Sequence, residues 1–537
     1  MQDAVSSVAP RRQLSLGLLV SRARVEAPSL TDWAAALLSS VLLILSFPDL
    51  GFSALAWVGL TPLLLVIARR PAPLRAFVLG WFTGAVFFYG SCYWLTYSMI
   101  HYGGLSSWLA YPLLIPGALI LGLFPALFAL ILALAMRRWR NKALFLAPVI
   151  WVAMEWARLE ITGQLWNAIG YSQAYHPALI QLARWGGVYA VGFVILAINS
   201  AIAFLLLNHC KRALAISLVI TATVVVVIFA GYANSRLQVV ANVARAELSV
   251  VAIQPNVPMD PSISTKELQQ LTALHISESE RALQQLSPDK PRLVIWPESP
   301  MNFAYGTDPQ FQTLVAQFTR QNHTALLFNS QEPAPGKGSY NSAVLVNEEG
   351  RAIAQYDKIR LLPFGEYVPL PRWVPGSSLI KAIVGDFTPG DNYTLISASP
   401  VRAGVFICIE SAYPSIARTF AAEGADVLIN ISNDGYLGPT AVMRQHLANA
   451  IFRAVENGRP LLRVTNSGIT AYVTASGEVK DESVGFQRAV RTWTVSSSEN
   501  NKTFYTRYGD VFAGLSAVLS AFVFVIALPG MKKESRG

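Results

Sequence analysis

The stretch GVFICIESAYP, residues 404–414, decides how the chain is to be read. Val405-Phe406-Ile407 is a short apolar run of the kind that forms a buried strand. It delivers Cys408, with Glu410 two positions on. Alternation along a strand predicts that these two side chains share one side of its end. The other cysteines, Cys92 and Cys210, lie in or beside apolar runs of the N-terminal half. Three cysteines exclude a disulfide scaffold. A lone cysteine is ordinarily a small buried hydrophobe, so a chemical role for Cys408 requires partners.

Partners stand at the ends of other apolar runs. From AELSVVAIQPN (246–256) onward, RLVIWPES, TALLFNS, NSAVLVNEEG, RAGVFICIE, ADVLINISND and LLRVTNSG read as strands. Residues 264–286, 308–321, 411–423 and 440–457 read as helices, so the alternation predicts one α/β domain with a largely buried sheet. VIWPESP ends in Glu298, AQYDKIRLLPFGEYVP presents Lys358 and then Glu366, and GVFICIE presents Cys408 and Glu410. Taken singly these are ordinary: a solvated turn, a surface lysine, a loop cap. Together they supply what nucleophilic acyl chemistry needs, namely a base and a cation for the thiol and donors for an oxyanion.

The remainder of the chain is a different material. Of its 537 residues 53% are hydrophobic and 14% charged, with a net charge of +10. Residues 233–510 hold 24 of the 42 Lys and Arg and 25 of the 32 Asp and Glu, leaving 18 basic against 7 acidic residues elsewhere. That excess flanks hydrophobic segments, a distribution unlike a nucleic-acid surface. A bilayer core takes about 20 apolar residues per helix, and eight spans are predicted: 31–47, 52–68, 76–99, 106–135, 143–157, 187–207, 213–232 and 511–530. With eight, the basic groups at Arg11–Arg24, Arg69–Arg75, 136–142, Lys211–Arg212 and the C-terminal tail all fall on one side. The charge rule makes that side cytoplasmic. The expected domains are a membrane domain at 1–232, an extracytoplasmic domain at 233–510, and a last helix with a short basic tail at 511–537. The outside loop TGQLWNAIGYSQ (162–173) is expected to be either an interfacial belt or a substrate-facing surface.

The segments WPES, YDKIRLLPFGEYVP, FICIES, ISNDGYLG and QHLANAIFRAVENGRPLLRVTNSG together resemble the nitrilase superfamily. The eight apolar spans and KIRLLPFGEYVP narrow the likeness to its membrane-bound apolipoprotein N-acyltransferases. The resemblance implies an αββα sandwich carrying a Glu–Lys–Cys triad: Glu298 as general base, Cys408 as nucleophile, and Lys358 with the Ile409 N–H as oxyanion donors. It implies that Glu366 orients Lys358 or assists proton transfer and that Glu410 supports the site. It also implies a phospholipid acyl donor, a diacylglyceryl-cysteine apolipoprotein acceptor, a bacterial inner-membrane location with the catalytic domain periplasmic, and no cofactor, metal or nucleic-acid partner.

Three positions depart from the family pattern: Ile409 stands where Tyr is common, Met259 near a usual Trp, and Tyr436 in place of Trp. Asn433 and Tyr436 are expected to line the substrate pocket. Trp373 and Ile380, in LPRWVPGSSLIKAIVG (370–385), are expected to dip into the interface and gate lipid entry. His446 reads as structural. The competing functions are a membrane-tethered nitrilase-type hydrolase, an acyltransferase with another acceptor, and a scaffold that kept the fold without the reaction.

Overall fold

The computed structural model describes residues 27–240, 246–260, 263–336, 338–363, 365–367, 387–497 and 501–528, with backbone alone for 236–240. In the C-terminal half the β-branched runs form strands β1 (Glu247–Gln254), β2 (Arg292–Ile295), β3 (Ala325–Pro333), β4 (Ser339–Val346), β5 (Ala352–Asp357) and β6 (Leu395–Ala398). They continue as β7 (Val401–Ile407), β8 (Val427–Ser432), β9 (Leu461–Thr465), β10 (Ala471–Val473), β11 (Val479–Lys480) and β12 (Ala489–Ser496). Two six-stranded sheets result, ordered β12-β1-β2-β3-β4-β5 and β11-β10-β9-β8-β7-β6. The centres are parallel, β1-β2-β3 in one sheet and β7-β8-β9 in the other.

Period-2 alternation divides the core into layers. Leu248, Val250 and Ala252 of β1 share the inter-sheet interior with Val405, Ile407 and Ile429. Their alternates, Val251 and Ile253, pack outward on Ala282 and Leu283 of helix Thr265–Leu283 and on Phe311, Val315 and Phe318 of helix Pro309–Gln321. Helices Pro414–Glu423 and Val442–Asn457 cover the other sheet. Gly404 explains how closely the first of these sits: a Cβ there would lie 2.4 Å from the Phe420 Cβ. The order is helix, sheet, sheet, helix, the expected αββα sandwich.

Apolar helices occupy each of the eight predicted stretches, from Leu30–Ser46 to Val511–Ala527. Among the described residues three helical stretches are long and apolar enough to cross a membrane: Ser107–Thr162, Ala183–Asn208 and Lys211–Ser235. Pro73–Ser91 and Leu95–His101 pass that test together but are bent by 52°. Helix Lys211–Val240 runs past the expected domain boundary at 232. Predicted span 106–135 forms two helices, Ser107–Leu113 and Ile115–Trp139, and 143–157 lies in helix Ala147–Thr162 after a 3-10 turn at Arg140–Leu146. Pro125 is carried inside Ile115–Trp139. The C-terminal helix packs against Ile115–Trp139 and Ala147–Thr162, so the two ends of the chain build one bundle.

Most of the loop at 162–173, expected to face lipid or substrate, is packed inside the protein. Residues 165–173 are buried against helix Val442–Asn457. Gln445 is the centre of that contact. Its Oε1 accepts from Trp166 Nε1 at 2.9 Å, Trp94 Nε1 at 3.0 Å and Asn167 Nδ2 at 3.4 Å, while its Nε2 donates to Pro48 O and Ser91 O. Tyr171 OH accepts from Arg453, and Glu456 accepts from Val188 N. These polar groups are inside and must stay paired. Gln445→Leu leaves the buried Trp166 N–H without an acceptor, which costs about 1–3 kcal/mol. The purified variant should unfold several degrees below the parent in detergent; an unchanged melting temperature would show that the Gln445 hub does not hold the two halves together.

Candidate active site

The C-terminal ends of the parallel strands converge at one edge of the sandwich, where α/β sheets ordinarily bind ligands. β2 runs into Glu298, β7 into Cys408 and β8 into Asn433 and Asp434, while β5 delivers Lys358. Lys358 is buried, with Nζ 2.8 Å from Glu366 Oε1 and 3.5 Å from Glu298 Oε1. Asn341 at the start of β4 donates Nδ2 to both carboxylates, at 2.9 Å to Glu298 and 2.7 Å to Glu366. Glu366 is further fixed by Leu362 N at 2.7 Å, and Glu298 by Asn433 N at 3.1 Å. Burial works most strongly against the lysine charge, but the two carboxylates outweigh it and hold its pKa above the ordinary value.

Cys408 differs from expectation in its backbone. β7 ends at Ile407, and Cys408–Ala412 forms a 3-10 turn with Cys408 at φ +53°, a left-handed conformation uncommon outside glycine. Strand alternation therefore does not relate Cys408 to Glu410. Glu410 turns inward instead and is fully buried. Its carboxylate accepts from Ile407 N (2.7 Å), Ile359 N (2.8 Å), Arg360 N (3.0 Å) and Tyr356 OH (2.8 Å). Burial carries its pKa up to about 7, with the Ile407 and Arg360 N–H groups pulling the other way. Glu410 thus ties the thiol-bearing turn to the segment that carries Lys358. Burial and then the Glu298 carboxylate push the Cys408 thiol far above its usual pKa, against Lys358. The resting sulfur is a thiol that needs a base to react.

The carbonyl of Cys408 is gripped separately. It accepts from His446 Nε2 at 3.0 Å and from Asn430 Nδ2 at 3.3 Å. His446 Nδ1 lies 2.8 Å from Asp434 Oδ1, and Arg463 binds both Asp434 oxygens at 2.9 and 3.0 Å. Burial acts on Asp434 first and upward, yet Arg463 and His446 together hold its carboxyl well below the usual range. Of the departing residues, Met259 Sδ packs 3.1 Å from Asn433 Nδ2. Tyr436 is 48% exposed, edge-on to Tyr102, with its carbonyl accepting from Ser98 Oγ at 2.6 Å. Helix Leu95–His101 of the membrane domain therefore docks beside the site. Trp373 and Ile380 lie outside the described residues.

Sequence reading assembled Glu298, Lys358, Glu366 and Cys408 but missed Asn341, Tyr356, Asn430 and the Asp434–Arg463 pair. Asn430 and Asp434 stand in the quoted ISND-containing strand and Arg463 in LLRVTN. Each is a polar residue in or just beyond a run that is buried throughout, and a buried polar group implies a partner.

Known proteins share this organisation. The family model for the apolipoprotein N-acyltransferase N-terminal domain matches residues 39–201, and that for carbon-nitrogen hydrolases matches residues 250–521. An apolipoprotein N-acyltransferase from Geobacter metallireducens is 33% identical over 510 residues, covering 92% of this chain and 95% of the relative. One from Thermotoga maritima is 29% identical over 522 residues, covering 93% and 95%. Among solved structures, Saccharomyces cerevisiae Nit3, a nitrilase-superfamily member, aligns at 19% identity and a TM-score of 0.37, covering 47% of this chain and 90% of its own. The two matched models and the near full-length relatives agree: this chain belongs to the apolipoprotein N-acyltransferase family, with a carbon-nitrogen hydrolase domain joined to a membrane domain.

Proposed function

We propose that the chain moves a fatty acyl group from a phospholipid, through a Cys408 thioester, to the N-terminal α-amine of a diacylglyceryl-cysteine apolipoprotein. The observation that carries this is the Glu298–Lys358–Glu366 cluster beside the Cys408 turn, which Glu410 ties to the residues following Lys358, at a sandwich edge docked on apolar helices. Glu298 takes the thiol proton as sulfur attacks the acyl ester carbonyl. Lys358 and the Ile409 N–H donate to the resulting oxyanion. Collapse breaks the ester C–O bond, Glu298 returns the proton to the glycerol oxygen, and lysophospholipid leaves. The acceptor amine then attacks the thioester, Glu298 takes one amine proton, and the released thiolate is reprotonated as the amide forms. Glu366 and Asn341 keep Lys358 and Glu298 in place throughout.

Lipid substrates explain why the sandwich is built into a membrane protein. In this reading eight helices span the bacterial inner membrane, both termini are cytoplasmic and residues 233–510 are periplasmic. Asn433 and Tyr436 line the approach to the thiol, a placement supported by the Asn433 N–H on Glu298 at 3.1 Å and by Tyr436 standing three residues on, half-exposed.

Incubating detergent-purified protein with phospholipid and no amine acceptor should add one fatty-acyl mass. Neutral hydroxylamine should remove it, and Cys408→Ala and Lys358→Met should show none. Free fatty acid without the adduct would point to a hydrolase, and neither product from folded protein would defeat the acyl-transfer reading. Glu298→Gln should slow adduct formation by about 10²–10⁴-fold; a wild-type rate would remove Glu298 as the base. Topology is testable through the exposed Cys210. With Cys92 and Cys408 replaced by Ser, a membrane-impermeant maleimide should label inside-out vesicles and spare spheroplasts, and the reverse pattern would invert the orientation.

A further inference from the structure

The His446 ring is buried with both nitrogens facing oxygen: Asp434 Oδ1 at 2.8 Å and the Cys408 carbonyl at 3.0 Å. A carbonyl oxygen never donates. Asp434 is held as a carboxylate by Arg463, which binds both its oxygens. Both partners of the ring are therefore acceptors, and a neutral imidazole carries only one N–H. A neutral ring would set one nitrogen lone pair against an oxygen lone pair in a site with no solvent to relieve it. Burial and then Arg463 pull the ring's pKa down despite Asp434 and the Cys408 carbonyl, but two acceptors at hydrogen-bond distance are satisfied only by the imidazolium.

The consequence reaches the oxyanion site. The carbonyl of Cys408 and the N–H of Ile409 belong to one planar peptide unit and point in opposite directions. Ile409 is the second residue of the Cys408–Ala412 turn, so its N–H has no acceptor within that turn. Donation into the carbonyl from His446 and Asn430 polarises the unit and makes its N–H a stronger donor, because hydrogen bonds in a chain reinforce one another. We infer that protonated His446, charged against Asp434 and Arg463, is a positioning residue that strengthens the Ile409 N–H toward the oxyanion of acyl transfer. The inference rests on the proposed thioester chemistry.

Alkylation separates this role from simple support of the fold. Iodoacetamide consumes the Cys408 thiolate by displacement at carbon and forms no oxyanion, whereas acylation by phospholipid does. In His446→Phe, with Cys92 and Cys210 replaced by Ser as in the reference protein, thioester formation in a single turnover should fall about tenfold, a fraction of the loss seen on deleting an oxyanion donor. Alkylation of Cys408 should proceed at the reference rate, and His446→Gln, whose amide can still donate to the carbonyl, should recover part of the acylation. In ¹⁵N-histidine-labelled protein at neutral pH, the His446 ring should show two protonated nitrogens, absent from the His446→Phe spectrum. Acylation at the reference rate in His446→Phe, equal slowing of alkylation and acylation, or a ring with one protonated nitrogen would each overturn the inference. A reference protein that never forms the thioester would instead overturn the acyl-transfer reading beneath it.

Discussion

The chemistry proposed for this domain depends on keeping a thiol from one sheet beside an amine from the other, and the Glu410 carboxylate supplies that constraint. Cys408 hangs from β7 in one sheet, while Lys358 follows β5 at the edge of the opposite sheet. Apolar packing between sheets sets their separation but is non-directional. Glu410 adds direction: one carboxylate takes N–H groups from both segments and the Tyr356 hydroxyl besides. Hydrogen bonds to a charged acceptor are stronger than neutral ones, and losing the acceptor would strand several buried donors at once. The acid two residues from the cysteine is thus a fastener, turned away from the reaction it makes geometrically possible.

With that frame fixed, the charges of the site follow. Glu298 and Glu366 share one ammonium, Lys358, and one amide, Asn341. The surplus of negative charge keeps the lysine protonated, and burial followed by the Glu298 carboxylate raises the thiol pKa. A resting thiolate would be a standing liability in a membrane enzyme exposed to oxidants. In the proposed reaction Cys408 ionises only as its proton passes to Glu298, which ties reactivity to the presence of a substrate carbonyl.

Much of this was legible from the chain, for reasons that also explain the gaps. Central strands such as VIWPES and GVFICIE are short, apolar and continuous, so their ends stand out and the charged residues there identify the site. β5, β6, β11 and β12 escaped notice because edge strands are half-exposed: in AVRTWTVS the polar residues alternate with the apolar ones, as they do in many loops, while the interior β10 is only three residues long. The relation of Cys408 to Glu410 was misread because a strand period was extended one residue past the strand, where the backbone enters left-handed space. Asn341, Asp434 and Arg463 were out of reach individually, since nothing local tells a buried polar residue which distant partner completes it.

The loop at 162–173 shows why the two halves of the chain are one machine. It was expected to face lipid or substrate because aromatic and amide residues do so in many membrane proteins. Trp166 instead spends its N–H on Gln445, one residue before His446, and its ring lies 5.6 Å from the His446 ring. The helix that grips the Cys408 carbonyl is therefore itself gripped by the membrane domain, on its adjacent residue. Anchoring alone would be served by a flexible tether and a few polar rim contacts. A buried interdomain hub whose neighbouring side chain reaches the nucleophile's own peptide unit makes the geometry of the thiol depend on the membrane domain being folded around it.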